Sequence, residues 1–112
     1  MIEIKRGTTE EFVIDLENES GERYVIGDGD TLVFGVKKSA KQDYYNLSKT
    51  ITADSYSEAK GGHVVSIAPS DTQDLSFGSY VYDVGLQTSS GDFYIVCPFD
   101  TFVIADTVTK KV

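Results

Sequence analysis

The sequence predicts an all-β protein, an immunoglobulin-like sandwich of seven or eight antiparallel strands with one short helical turn near residues 70–75. Three observations predict this fold. Apolar side chains alternate with polar ones in several short segments, whereas helical periodicity is nearly absent. Turn-forming residues separate these segments at regular intervals. The chain has 112 residues, near the roughly 100 of an immunoglobulin-type sandwich, so we expect residues 1–112 to form a single domain.

The first half of the chain contains three segments that predict longer strands. Residues 12–16 carry apolar side chains at every second position, which indicates a strand with one buried face. After a polar loop at 17–22 and a Gly-Asp-Gly-Asp turn signal at 27–30, residues 32–36 repeat that pattern. Residues 44–52 are rich in β-branched and aromatic side chains, so we expect a longer and more exposed strand there.

The middle of the chain predicts a loop, a short strand and the helical turn. Residues 53–62 are polar and end in two glycines, which indicates a loop. Residues 63–68 predict a short strand that turns either its odd-numbered or its even-numbered side chains toward the core. Pro69 begins the one segment suited to a helical turn, which Ser70 or Asp71 can cap.

The last third of the chain contains the clearest hairpin. Residues 80–87 and 93–99 predict two strands joined by a short polar link, and residues 101–105 predict a final strand. Tyr80 follows a Leu and a Gly at the point where the helical turn gives way to a strand. That spacing predicts a tyrosine corner, in which the hydroxyl of a tyrosine donates a hydrogen bond to upstream backbone.

Charge and composition limit the classes of partner. The formal net charge is −8 and the ten Lys and Arg residues are scattered, so we expect no contact with nucleic acid or with a membrane. Cys97 is the only cysteine, which excludes an intrachain disulfide, and its apolar neighbours predict a buried thiol. The first residues lack the apolar core of a signal peptide, so we expect synthesis and folding in the cytoplasm.

Residues with catalytic or metal-binding potential are few. His63 is the only histidine, and no partner in the sequence marks it as a base, so we expect it at the surface or at a strand edge. One His and one Cys cannot supply a zinc site. Residues 27–31 offer carboxylates for calcium but lack the EF-hand spacing. We therefore predict no catalytic residue, no metal, no cofactor and no enzyme activity.

Tyrosine is the remaining feature of the composition. Of the seven tyrosines, Tyr44 and Tyr45 lie in a polar segment, and Tyr80, Tyr82 and Tyr94 lie in the hairpin. Tyrosine is common at protein interfaces, because its ring buries area while its hydroxyl stays hydrated, so Tyr44 and Tyr45 are our candidate interface residues. An exposed aromatic platform could also stack on sugar rings. A carbohydrate-binding or host-surface adhesion module is therefore the alternative function.

Several short motifs occur together along almost the whole chain. They are residues 1–9 (MIEIKRGTT), the 12–16 strand, 20–22 (SGE), 36–38 (VKK), 70–72 (SDT), Leu75, 78–84 (GSYVYDV) and 91–92 (GD). Together they resemble the small immunoglobulin-like domains of tailed phages and prophages of Gram-positive bacteria, the N-terminal domain of baseplate upper proteins in particular. These motifs are turn and strand signatures, so the resemblance transfers no functional residue.

The resemblance implies a structural part of the virion that anchors to baseplate or tail proteins and assembles as an oligomer. The expected partners are other virion proteins or copies of this chain, and the expected final location is the virion. A sandwich can also bind through its edge strands, whose free N–H and C=O groups can pair with a partner. The candidate edges are residues 2–5 and 44–52. Lys49 and its polar neighbours would equally suit an edge that is protected against pairing.

Overall fold

The computed structural model describes residues 1–110, whose regular structure is mostly β-strand. The strands are Ile2–Lys5 (β1), Glu10–Ile14 (β2), Leu16–Glu17 (β3), Arg23–Tyr24 (β4), Thr31–Lys37 (β5), Leu47–Ile51 (β6), Tyr56–Ser57 (β7), Gly62–Ile67 (β8), Gly78–Gln87 (β9) and Phe93–Ala105 (β10). The helical elements of this part of the chain are one α-helical turn, Pro69–Thr72 (α1), and a 3-10 turn, Ala53–Ser55. The predicted all-β fold and its short helical turn are confirmed.

Two sheets pack face to face in the sandwich. A five-stranded sheet has the order β1-β10-β9-β5-β6, and a three-stranded sheet has the order β2-β8-β7. In an immunoglobulin-type sandwich, strands B, E and D are neighbours in one sheet and strands C, F and G in the other. β2, β8 and β7 correspond to the first set and β5, β9 and β10 to the second. The predicted immunoglobulin-like arrangement is therefore confirmed, with β3 and β4 added as a separate two-stranded ribbon.

The number and direction of the strands differ from the prediction in detail. Seven strands have four or more residues, whereas β3, β4 and β7 have two each, and β7 lies within the segment 53–62 that was expected to be a loop. β1 runs parallel to β10, with Ile4 opposite Ile104, so the strands are not all antiparallel. Alternation of apolar residues is the same for either direction, and direction is therefore not readable from the sequence pattern.

The core lies between the two sheets and is centred on aromatic rings. The Phe34 ring on β5 is fully buried, and its centroid lies 5.0 Å from that of Phe12 on β2, a contact that joins the sheets. The centroids of Tyr82 and Phe102 lie 5.5 Å and 5.9 Å from that of Phe34. Such edge and tilted contacts add about 0.5–1.5 kcal/mol per pair to the burial of each ring.

The corner between the two sheets follows the sequence prediction. The Tyr80 hydroxyl donates a hydrogen bond of 2.8 Å to the Ser76 carbonyl oxygen, and the ring is buried, which forms the predicted tyrosine corner. Just before it, the Asp71 carboxylate accepts a hydrogen bond of 2.7 Å from the Ala68 N–H and caps α1. Asp71 is one of the two residues predicted for that role.

The prediction of separate strands at 93–99 and 101–105 is wrong, because both segments belong to β10. The ladder between β10 and β9 shifts its register twice around Cys97 and continues on the far side. Pro98 lies at this irregularity, where its missing N–H removes no regular ladder hydrogen bond. The segment around Cys97 and Pro98 therefore forms a bulge within one long strand.

The segment 44–52 is only partly a strand, because β6 begins at Leu47. The Asn46 side chain accepts a hydrogen bond of 3.0 Å from the Lys38 N–H, and this contact closes the connection between β5 and β6. Tyr44 and Tyr45 therefore lie in the connection, outside the ladder. An Asn side chain that binds backbone in this way competes with strand pairing, which explains the shorter strand.

Candidate functional site

The outer face of the five-stranded sheet, which points away from the three-stranded sheet, is the most unusual surface of the molecule. The register of β5 against β9 places two glycines, Gly35 and Gly85, near its centre. Both are buried although they lie on the outside, because aromatic rings cover them. A Cβ atom at position 35 would lie 2.5 Å from the Tyr45 ring, and one at position 85 would lie 2.6 Å from the Phe93 ring. The two rings therefore rest directly on the backbone.

Four large side chains form what we call the apolar patch of this face. Tyr45, Phe93, Ile95 and Phe99 are 53%, 59%, 53% and 66% exposed, and they border a shallow groove of about 250 Å³. A large side chain presents about 150–250 Å² when fully exposed, so the patch leaves about 400 Å² of mainly apolar area in water. The largest apolar patch on a typical monomeric protein covers about 300–600 Å² and is often a functional surface.

The outer face carries no net charge, in contrast to the rest of the chain. The charged residues that the register of the five strands places on this side are Glu3, Lys5, Lys37 and Asp83. Two lysines and two carboxylates sum to zero, so the net charge of −8 resides on other surfaces. The Lys37 ammonium lies 5.0 Å from the Tyr45 ring centroid. Within residues 1–110, neither Lys37 nor Asp83 forms an ion pair.

The tyrosines selected from the sequence are distributed over different surroundings. Tyr44 and Tyr45 are both exposed, and Tyr45 belongs to the apolar patch, whereas Tyr44 does not border its groove. Tyr80 is buried in the corner and Tyr82 packs against the core. Tyr94 is exposed, but its register places it on the opposite side of β10 from the patch. Of these five, only Tyr45 lies on the patch.

Sequence reasoning missed the other three residues of the patch. Phe93, Ile95 and Phe99 lie in the segment 93–99, which the sequence predicts as a hairpin strand, and the apolar residues before Cys97 predicted only a buried thiol. A signal was nevertheless present, since a glycine inside a predicted strand often marks a site where another group closely approaches the backbone. Gly35 and Gly85 are two such glycines.

The edges of the five-stranded sheet are β1 and β6, as predicted, but both carry features that oppose pairing with a partner strand. On β6, the Lys49 side chain points inward, and its ammonium lies 2.7 Å from the Asp71 carboxylate. At the end of β1, the Lys5 N–H donates a hydrogen bond of 2.6 Å to the Glu10 carboxylate. Inward-pointing charges and short edge strands are known devices against edge-to-edge association. The outer face, rather than an edge, is therefore the better candidate for binding.

The expectation that His63 lies at the surface or at an edge is wrong. His63 is fully buried on β8, the central strand of the three-stranded sheet, because this strand turns its odd-numbered residues toward the core. Its Nε2 accepts a hydrogen bond of 3.3 Å from the Ile26 N–H, so the neutral ring carries its proton on Nδ1. Nδ1 has no hydrogen-bond partner among residues 1–110. Burial lowers the pKa of His63, against weaker opposing effects of the Ile14 backbone and of the Asp15 carboxylate.

The remaining reactive groups have structural surroundings. Cys97 is half-buried against the core, and burial, followed by the charge of Asp83, raises the pKa of its thiol. A raised pKa keeps the thiol protonated and weakly nucleophilic. The Asp30 carboxylate accepts hydrogen bonds from the Gly27 N–H at 3.0 Å and the Ser89 N–H at 2.9 Å, so it holds two turns together.

The described part of the chain lacks the features of a metal site and of a membrane-spanning helix. Across residues 1–110, no group of three or more His, Cys, Asp or Glu side chains is arranged to hold a metal ion. No helix in that part of the chain is both long and apolar enough to span a membrane. No protein-family model matches the chain, and no curated protein matches it with significance.

Proposed function

We propose that the protein is a non-catalytic structural component of a phage or prophage virion, in the tail or baseplate, that acts through protein–protein contacts of its outer face. The observation that carries this proposal is the apolar patch, whose four side chains are each more than half exposed. At roughly 25 cal/mol per Å², burial of its ~400 Å² by a partner would contribute about 10 kcal/mol to the free energy of association. That is comparable to the estimated cost of association, about 4–15 kcal/mol.

The way the patch is held supports its use as a binding surface. The Tyr45 and Phe93 rings rest on Gly35 and Gly85, in contact distance of backbone that belongs to two central strands. Side chains that are ordered before binding lose less conformational entropy when a partner covers them. The groove is shallow and smaller than the roughly 300–1,000 Å³ of a small-molecule pocket, which favours a broad partner such as a protein.

The alternative, a carbohydrate-binding module, fits the chemistry of this face less well. Sugar hydroxyls need several hydrogen-bonding groups beside the aromatic ring, because buried polar groups without partners are unfavourable. The polar side chains that line the groove are those of Lys37, Asp83, Tyr45 and Tyr82, while Phe93, Ile95 and Phe99 offer no hydrogen-bonding group. A partner with apolar side chains complements this composition better.

The assignment to a virion rests on the resemblance of the turn and strand motifs described above. It is tested by purifying phage particles on a density gradient from a strain whose genome encodes the chain, and by measuring the protein in them by mass spectrometry. We expect the chain in a fixed ratio to the tail proteins. Its absence from the particles would overturn the virion assignment.

A matched pair of variants tests the face itself. Ile95→Glu adds one negative charge to the apolar patch, and Val108→Glu adds the same charge at a fully exposed position away from it. We expect Ile95→Glu to lower the amount of the chain in the particles at least about tenfold, because a buried unpaired charge is strongly unfavourable. Val108→Glu should leave that amount unchanged. Equal incorporation of both variants would show that the outer face makes no essential contact.

A further inference from the structure

We infer that the occupant of the outer face is a second copy of this chain, packed face to face about a two-fold axis. This inference rests on the proposed use of that face for protein contacts and names the partner. A closed two-fold interface places the same surface on both sides, so the surface must be complementary to itself. Charge, size and the placement of Lys37 and Asp83 all satisfy that condition.

The charge distribution favours a copy over an unrelated partner. A chain with a net charge of −8 repels its own copies at most orientations. The outer face is the exception, since Glu3 and Lys5 cancel on β1, and Lys37 and Asp83 cancel across β5 and β9. Two copies that meet here bring together neutral surfaces and keep the acidic ones apart.

Lys37 of one copy can pair with Asp83 of the second copy, and Asp83 of the first copy can pair with Lys37 of the second. They lie on adjacent strands and on the same face, because Gly35 is opposite Asp83 and Lys37 is opposite Val81. A two-fold axis in the plane of the interface, parallel to the strands and between β5 and β9, puts Lys37 of one copy over Val81 of the other. Asp83 lies two residues further along the same strand, about 7 Å away, within reach of the long lysine side chain, and the symmetric pair forms in the same way. Both groups lack an ion pair within residues 1–110, so each is available to the second copy.

The same axis brings together the apolar parts of the two copies. With the strand order β10-β9-β5-β6, a rotation about an axis between β9 and β5 lays β10 over the β6 side of the other copy. Phe93 and Ile95 then meet Tyr45 of the second copy, so the apolar patch covers itself. Five strands about 4.8 Å apart and about 24 Å long give a total contact of about 1,000 Å², the lower limit for a specific interface. We expect a dimer that dissociates in the micromolar range.

The test is the solution mass of the purified chain, measured by light scattering over a concentration series, for the wild type and three variants. Lys37→Glu and Asp83→Lys each place like charges opposite one another twice in the dimer, so each should raise its dissociation constant at least about tenfold. The double variant, Lys37→Glu with Asp83→Lys, exchanges the two charges and should restore dimerisation to within about threefold of the wild type. Circular dichroism confirms that each variant is folded.

The outcomes separate this inference from the proposed function. A wild-type chain that is monomeric at all concentrations overturns the inference, as does a dimer whose dissociation constant the single variants do not change. Single variants that weaken the dimer without restoration in the double variant also overturn it, because the two charges then do not face each other. If the chain is nevertheless found in particles and Ile95→Glu removes it, the outer face binds a different virion protein. If it is absent from particles, the virion assignment fails whatever the mass.

Discussion

The two halves of β10 have similar apolar compositions and opposite environments. Phe102 and Ile104, in the second half, are buried between the sheets, whereas Phe93, Tyr94 and Ile95, in the first half, are all exposed. Exposure on both sides of the first half means that the three-stranded sheet does not cover this part of the strand. An apolar run therefore predicts a strand, but its environment depends on which distant strand lies over it.

The largest expected effect comes from truncating a ring in each half. Phe102→Ala removes a fully buried ring from the centre of the core and should lower the free energy of unfolding by about 3–5 kcal/mol. Phe99→Ala, at a position that is 66% exposed, should change it by no more than about 0.5 kcal/mol. Urea unfolding of both variants measures the difference. Similar losses for the two variants would contradict the contrast between core and patch.

A smaller change in the free energy of unfolding is expected from a substitution at Gly85, where the Phe93 ring of the apolar patch rests on the backbone of the sheet. Gly85→Ala brings a Cβ within 2.6 Å of the Phe93 ring, so the ring must move and the free energy of unfolding should fall by about 1 kcal/mol. In a chain that carries Phe93→Ala, the same substitution meets no ring and should cost nothing, since alanine suits a strand better than glycine. A double-mutant cycle measured in urea gives the coupling. An equal cost in both backgrounds would show that Phe93 does not rest on Gly85.

The smallest expected effect is the pH dependence of the free energy of unfolding. It reports on the core, where His63 is buried, and not on the outer face, which holds no histidine. The pKa of His63 lies below 6.5 in the folded chain because the ring is buried, so the unfolded chain binds the proton more tightly. The free energy of unfolding should therefore fall as the pH drops below about 6.5. Asp71, whose pKa is lowered in the folded chain, loses its stabilising contribution only at a pH below 3.8, so the two effects are well separated.

The control for this pH dependence is His63→Gln, which keeps an acceptor for the Ile26 N–H and does not titrate. Unfolding midpoints in urea, measured between pH 7 and pH 5, should decline for the wild type and stay level for the variant. A parallel decline of both proteins would assign the effect to other groups.

The features that the sequence predicts correctly are those in which the signal is local. Alternation at residues 32–36 identified a core strand, because strand periodicity is a property of neighbouring residues. Alternation at 12–16 identified the buried Ile14 and Leu16, but that segment is divided between β2, which ends at Ile14, and β3, which begins at Leu16. The spacing before Tyr80 identified the corner, because the donor and acceptor are four residues apart. Asp71 was predicted as a cap for the same reason, because its carboxylate accepts a hydrogen bond from the Ala68 N–H, only three residues away.

The features that the sequence did not predict depend on residues far apart in the chain. His63 was expected at an edge because the sequence does not show that β2 and β7 flank it. Of the apolar patch only Tyr45 was identified, because Phe93, Ile95 and Phe99 lie beside it only when β5 pairs with β9. A local pattern tells which residues share a side of a strand, but the tertiary arrangement decides whether that side is covered.

The parallel pairing of β1 with β10 has a consequence for the order in which the domain is made. The ribosome releases β1 first, but its hydrogen-bonding partner is the last strand to emerge. Until then β1 has no ladder, and the five-stranded sheet is incomplete. Contacts between such distant parts of a chain require closure of a long loop, which places folding in the millisecond-to-second range typical of sandwiches. The five-stranded sheet can therefore be completed only after translation of β10.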